Sequence, residues 1–206
     1  MKEHGGVYFV TSRSFGVSHL ESAEMALKGG IRIIQYREKE ADTGVMVEEA
    51  GRIKELCNSY RAIFIVDDRV DVAMAVGSDG VHLGQEDMPL RIARRMMPDK
   101  IIGVSAKTPE QAIEAEKDGA TYLGVGAVFP TTTKVKTTVI GMGGFTKVRE
   151  STGLPVYAIG GLNIGHIREL RGLGADGIAV ITAVIASKDP QKAAEALVKE
   201  WRESKP

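Results

Sequence analysis

The chain has 206 residues, with 27 Lys and Arg balancing 27 Asp and Glu, so its formal charge is zero. That balance argues against a general nucleic-acid binder, which carries a basic excess, and no apolar run reaches the roughly 18–20 residues of a membrane span. The single cysteine, Cys57, cannot form an intrachain disulfide, and the stretch Met1–Gly6 lacks the apolar core of a signal peptide, so a reducing cytoplasm is expected.

Short β-branched runs alternate with helical stretches along the chain. The first strand is expected at Val7-Tyr-Phe-Val-Thr11, and a helix over 18–28 opened by Ser18 follows it. Ile31-Arg-Ile-Ile-Gln35 leads to a helix over 43–58 opened by Thr43. Ile63-Phe-Ile-Val66 leads to 69–76, and Gly80-Val-His-Leu83 to 89–96. Ile101-Ile-Gly-Val104 leads to 109–118, opened by Thr108 ahead of Pro109. Thr121-Tyr-Leu-Gly-Val125 leads to 144–152, Val156-Tyr-Ala-Ile159 to 163–171 behind Asn163, and Gly177-Ile-Ala-Val-Ile181 to 190–203. The strand runs are apolar nearly throughout, as parallel strands covered on both faces must be.

A weak repeat runs through this alternation. Gly29-Gly-Ile-Arg, Gly77-Ser-Asp-Gly, Gly119-Ala-Thr-Tyr and Gly174-Ala-Asp-Gly precede the second, fourth, sixth and eighth strands. Glycine there supplies the left-handed residue that ends a helix. Four such units close an eightfold barrel, whereas two give an open sheet. The expected fold is therefore an α/β (β/α)8 TIM barrel forming a single domain over 1–206, with an open doubly wound sheet as the alternative.

In such a barrel the chemistry lies at the C-terminal strand ends. Gln35, Arg37 and Lys39 share one side of an extended segment, while Tyr36 and Glu38 point the other way. An amide beside two cations suits a polar ring with an anionic tail, although the motif alone reads equally as a solvated charge patch. Asp68 and Asp87 follow neighbouring strands, and together they can hold Mg²⁺ against phosphate oxygens. Taken singly, Asp68 could pair with Arg69 and Asp87 could cap the helix at Pro89. The histidines His4, His19, His82 and His166 are scattered, which disfavours zinc, and His82 reads as a satisfied core residue. Gly160-Gly161 and Thr182 occupy the usual barrel phosphate position. The run Pro130-Thr-Thr-Thr-Lys134 ends the sixth strand, and Val135–Gly143 has the look of a lid.

These pieces, in this order, resemble the thiamine phosphate synthase (thiamine-phosphate pyrophosphorylase) family: Gln35-Tyr-Arg-Glu-Lys39, Asp68-Arg-x-Asp71, Gly80-Val-His-Leu-Gly-Gln-Glu-Asp87, Gly103-Val-Ser105, Pro130-Thr-Thr-Thr-Lys134, Ala158-Ile-Gly-Gly161 and Gly177-Ile-Ala-Val-Ile-Thr182. The resemblance implies a transferase that joins hydroxymethylpyrimidine pyrophosphate to thiazole phosphate with Mg²⁺. It implies that Gln35, Tyr36, Arg37, Glu38 and Lys39 hold the pyrimidine pyrophosphate, and that Asp68 and Asp87 bind Mg²⁺. It implies that Ser105 and Lys134 meet the leaving pyrophosphate, making Arg37, Ser105 and Lys134 the catalytic group. Thr131 and Thr133 would meet the thiazole phosphate, with Thr132 the member of the run lacking a contact of its own. The phosphate itself would rest on Gly161, Ile181 and Thr182. The implied mechanism is dissociative, with pyrophosphate as the nearest base. Its partners are small molecules, with no nucleic acid or membrane and with self-association possible.

One departure stands out: Asp67 takes a place where the family commonly has Asn, and an ionised carboxylate only accepts hydrogen bonds where an amide also donates. Rival readings are a thiazole tautomerase-like barrel, a non-catalytic thiazole phosphate binder and a phosphosugar isomerase. The intact Pro130–Lys134 run and Ala106-Lys107 after Ser105, where the tautomerase carries a histidine, favour the synthase.

Overall fold

Residues 6–131 and 137–204 are described by a computed structural model. Strands β1 (Val7–Val10), β2 (Ile33–Tyr36), β3 (Ile63–Asp67), β4 (Gly80–Leu83), β5 (Ile101–Ala106), β6 (Tyr122–Gly126), β7 (Val156–Ile159) and β8 (Gly177–Val180) pair in sequence order, and β8 closes on β1. The pairs are parallel, and the closing seam sets Tyr8 opposite Ala179. The helices are α1 (His19–Lys28), α2 (Thr43–Ser59), α3 (Val70–Ala75), α4 (Leu90–Met96), α5 (Pro109–Lys117), α6 (Gly141–Glu150), α7 (Ile167–Gly172), α8 (Thr182–Ile185) and α9 (Pro190–Glu203). The expected (β/α)8 barrel is the fold. Among the described residues no helix is long and apolar enough to cross a membrane.

Several boundaries differ from the sequence reading. Thr43 does not cap α2; Asp42 takes that place without a side-chain cap bond, and the Thr43 hydroxyl accepts from Arg69 Nη2 at 2.8 Å. Helix α6 begins at Gly141, so Gly141–Gly143, expected to lack a helix pattern, forms its first turn; residues 135 and 136 lie outside the described residues. A 3₁₀ turn over Ile164–His166 precedes α7, and the one-turn α8 is too short to carry a periodic signal. Ser18 and Thr108 do cap their helices, accepting from Glu21 N and Gln111 N.

Strand parity sorts the core into two layers. Phe9, Ile34, Tyr36, Phe64, Val66, Val81, Ile102, Leu123 and Ile178 face the helices. Tyr8, Val10, Ile33, Ile63, Ile65, Tyr122, Tyr157 and Ala179 fill the barrel interior. Three tyrosines are bulky for that space. Glycines clear it: a Cβ on Gly103 would overlap the Tyr122 ring, and one on Gly177 the Tyr157 ring. The rings meet at steep angles, with Tyr8 and Tyr157 centroids 5.7 Å apart and Tyr122 and Tyr157 5.6 Å apart.

The sequence repeat has a physical basis at the N-terminal strand ends. Gly30, Gly77, Gly119 and Gly174 have φ of 90°, 61°, 92° and 84° and stop their helices. Two residues on, a side chain takes up backbone groups there. Asp79 accepts from Phe64 N at 2.8 Å, Thr121 from Ile102 N at 3.1 Å and Asp176 from Val156 N at 2.9 Å. In the first unit Arg32 instead donates to the Leu27 and Ile31 carbonyls. Each strand start thus gains a partner for a group the ladder leaves unpaired.

Candidate active site

The same parity that fills the interior aims residues at the mouth. Gln35 and Asp67 are the last inward residues of β2 and β3, and both are buried. Arg37 and Lys39 continue the inward series beyond β2 and reach across to β3. Arg37 Nε lies 3.6 Å and Lys39 Nζ 3.1 Å from Asp67 Oδ2, and Lys39 also contacts the Asp68 carboxylate. Burial and the neighbouring Asp68 charge push Asp67 up to about 6, against the pull of Lys39 and Arg37. Burial lowers the Lys39 ammonium, but Asp67 and Asp68 more than reverse that and raise it.

Asp68 is a non-glycine residue in the left-handed region, φ 58°, with its N–H donating to the His82 carbonyl at 2.7 Å. Such strain is held in place by surrounding structure and clusters at functional sites. Asp87 on the β4 loop is close enough to Asp68 for each carboxyl to shift the other's proton affinity. Burial and that contact raise Asp87. Burial also pushes Asp68 up, but the Lys39 and Asp87 bonds win and lower it. Asp87 Oδ2 further accepts from Gly84 N at 2.6 Å, and Arg69 pairs with Asp71, so neither single-residue alternative for the two aspartates holds. Two carboxylates pressed together need a shared proton or a cation between them, and hard oxygen donors of this kind fit Mg²⁺.

Tyr36 and Glu38 face outward and do not join this group. Tyr36 Oη donates to Glu49 Oε2 on α2 at 2.9 Å. Glu38 lies 3.1 Å from His19 Nε2 and 2.9 Å from Arg13 Nε, and accepts from Lys39 N at 2.7 Å and Glu40 N at 2.8 Å. Glu38 is thereby held down to about 2: burial raises it, and the Glu40 N–H, His19 and the Lys39 N–H lower it further. Burial lowers His19, with Glu38 opposing. Thr11 ties the inner edge, bonding His19 Nδ1 at 2.7 Å and accepting from Arg37 N at 3.2 Å. The ligand atoms of His19, Glu38 and Glu49 lie within 4.8 Å of one another, a grouping hidden in sequence because it draws on three elements. Arg13 bridges the two glutamates, 2.7 Å from Glu49, so the grouping is an ion-pair network that fixes the backbone carrying Arg37 and Lys39.

His82 is the satisfied core histidine expected from the sequence, buried with partners at both ring nitrogens. It faces the interior on β4, with Nδ1 3.0 Å from Tyr122 Oη and Nε2 2.9 Å from Ser105 Oγ. Burial lowers its pKa to about 4. Ser105 is half-buried on β5, and its carbonyl accepts from Gln85 Nε2 at 2.6 Å.

On the far side of the mouth the loops after β6 and β7 run together. Val128 N donates to Ile159 O at 2.9 Å and Phe129 N to Gly160 O at 3.0 Å. Phe129 stacks on His166, ring centroids 4.1 Å apart. Gly161 has φ 65°, and a Cβ on it would overlap the Pro130 carbonyl oxygen, so only glycine keeps this contact. Thr131 is half-buried beside it, while Thr132, Thr133 and Lys134 lie outside the described residues. Ile181 and Thr182 open α8 at the end of β8.

Residues 7–184 match the family model for thiamine monophosphate synthase. The thiamine-phosphate synthase of Caldivirga maquilingensis is 46% identical over 200 residues, covering 97% of this chain and 98% of the relative. That of Pyrococcus furiosus is 49% identical over 193 residues, covering 94% and 93%. The solved thiamine phosphate pyrophosphorylase from Pyrococcus furiosus superposes with a TM-score of 0.92 at 46% identity, covering 100% of this chain and 99% of that one. With the barrel and its charged mouth formed by the same residues that first suggested the resemblance, the chain belongs to the thiamine monophosphate synthase family of enzymes.

Proposed function

We propose that this chain joins hydroxymethylpyrimidine pyrophosphate to thiazole phosphate, releasing pyrophosphate and forming thiamine phosphate. The observation that carries the reading is the gathering of Arg37, Lys39, Asp67, Asp68 and Asp87 across the ends of β2, β3 and β4. Gln35 meets the pyrimidine ring, and Arg37 and Lys39 meet the pyrophosphate, Arg37 with a planar fork and Lys39 as a point charge. Tyr36 and Glu38 support this segment from behind.

Asp68 and Asp87 would hold Mg²⁺, which supplies positive charge to phosphate oxygens when bound. The chain's own residues do the rest. The C–O bond to pyrophosphate breaks with its electron pair on the leaving group, whose charge Arg37, Lys39 and Lys134 neutralise while the Ser105 hydroxyl donates a hydrogen bond to it. The thiazole nitrogen then gives its lone pair to the pyrimidinylmethyl carbon. Thr131 and Thr133 orient the thiazole, with its phosphate on Gly161, Ile181 and Thr182. Positioning and charge stabilisation carry such a reaction, with little demand for a protein base. The buried unpaired Cys57 agrees with a reducing, cytoplasmic setting.

The test is incubation with both substrates and Mg²⁺ and chromatographic detection of thiamine phosphate. Folded protein that yields none sinks the synthase reading and leaves the tautomerase-like or binding alternatives.

A further inference from the structure

Five side chains from five strands form one hydrogen-bonded chain through the barrel interior. Gln35 Nε2 donates to Tyr8 Oη at 2.8 Å, Tyr8 Oη lies 2.8 Å from Tyr122 Oη, Tyr122 Oη lies 3.0 Å from His82 Nδ1, and His82 Nε2 lies 2.9 Å from Ser105 Oγ. The three middle members are buried, Tyr8 at 2%, Tyr122 at 0% and His82 at 9% exposed. A Cβ on Gly103 would overlap the Tyr122 ring, and one on Gly124 would press to 3.0 Å from His82 Cε1. The strands therefore keep open the path this chain occupies.

Each hydroxyl has one hydrogen, and a neutral imidazole has one, so the chain has only two self-consistent directions. With the Gln35 amide donating, the Tyr8 hydrogen must go to Tyr122 and the Tyr122 hydrogen to His82 Nδ1. His82 then carries its hydrogen on Nε2 and donates to Ser105. The Ser105 hydroxyl hydrogen is left over and is available to the mouth. With Gln35 turned over, every bond reverses, Ser105 spends its hydrogen on His82, and only oxygen lone pairs face the mouth.

We infer that Tyr8, Tyr122 and His82 are positioning residues that transmit the orientation of the Gln35 amide to Ser105, so that Ser105 is held as a hydrogen-bond donor to the phosphate end of the substrate. The inference rests on the proposed function only in giving Gln35 the ring and Ser105 the pyrophosphate of one substrate. No proton leaves the chain; only the direction of four hydrogen bonds is set. A donor aimed at an oxygen that gains negative charge as the C–O bond breaks accelerates that step, and a lone pair aimed there opposes it.

Two measurements test the relay. The first needs no activity: ¹⁵N spectra of the histidine-labelled full chain, with the His82 signals identified by their loss in His82→Asn. His82 is expected to be neutral, with Nδ1 an unprotonated acceptor and Nε2 protonated. The opposite tautomer, or an imidazolium, overturns the inference even if thiamine phosphate is made. The second is a double-mutant cycle between Tyr122→Phe and Ser105→Ala. Tyr122→Phe is expected to lower kcat about tenfold while leaving KM for the pyrimidine pyrophosphate within about twofold. In the Ser105→Ala background the same change is expected to cost less than about twofold. Penalties that simply multiply would mean that Tyr122 only fills space, and would overturn the relay. Should Tyr122→Phe fail to fold, Tyr8→Phe completes the cycle. A wild-type chain with the expected tautomer but no product would discard the synthase reading and keep the relay's direction.

Discussion

The ammonium of Lys39 rests 3.1 Å from the carboxylate of Asp67, a buried acid at the end of β3. Arg37 shares that carboxylate at 3.6 Å, so Asp67 competes with any anionic ligand for both cations. Asp67→Asn keeps the shape and removes the competitor. Its kcat/KM is expected to stay within about threefold of wild type or to rise. A large loss in steady-state assays would assign Asp67 a specific contact that this arrangement does not reveal.

Asp68 also draws on Lys39, but its other neighbour is the Asp87 carboxyl. Removing either carboxylate leaves a cation one hard oxygen donor short. Asp68→Ala and Asp87→Ala are each expected to raise the Mg²⁺ concentration for half-maximal activity by at least about tenfold. Unchanged Mg²⁺ titrations would remove the pair as ligands.

Glu38 couples acidity to the segment bearing Arg37 and Lys39. Its carboxyl is held down to about 2 against an ordinary 4.5, so the folded state binds its proton less readily than the unfolded chain does. The resulting stability is fully present above the unfolded value and is lost as pH falls towards 2. From the size of the shift it amounts to about 3 kcal/mol at neutral pH. In urea unfolding followed from pH 7 to pH 2.5, Glu38→Gln is expected to be less stable than wild type at pH 7 and to converge on it in acid. A gap that does not change with pH would contradict the depressed carboxyl.

Arg61 marks a place where the glycine rule of the barrel lapses. It follows α2 with φ 52°, the conformation that Gly30, Gly77, Gly119 and Gly174 adopt after their helices. A side chain there costs about 1 kcal/mol. Arg61 is exposed, so Arg61→Gly is expected to stabilise the chain by about that amount in thermal or urea unfolding. A lower melting temperature would mean that the arginine side chain holds something in place.

Much of this was legible in the sequence because parallel strands covered on both faces announce themselves as apolar runs, and because strand parity separates Gln35, Arg37 and Lys39 from Tyr36 and Glu38 without any structure. What stayed hidden depends on register between strands. Gln35, Tyr8, Tyr122, His82 and Ser105 come from five strands, and nothing local says that their polar atoms will meet, so His82 was legible as a satisfied core residue but its partners were not. The His19, Glu38, Glu49 and Arg13 network failed to show because its members lie on α1, α2 and two loops that only the fold brings together. Thr43 misled because a helix-opening threonine looks alike at the cap and one residue inside it, and here the adjacent Asp42 took the cap position.

Asp79, Thr121 and Asp176 all act at the end of the barrel away from the mouth, each serving a strand start beside its own. The bonds that finish these strand starts thus lie at the opposite end of the barrel from the charged mouth. Segments 37–41, 84–88 and 127–131 could be exchanged wholesale for those of another barrel enzyme without touching one of these bonds. The chain is in that sense a socket, and its lower half would accept a mouth built for different chemistry.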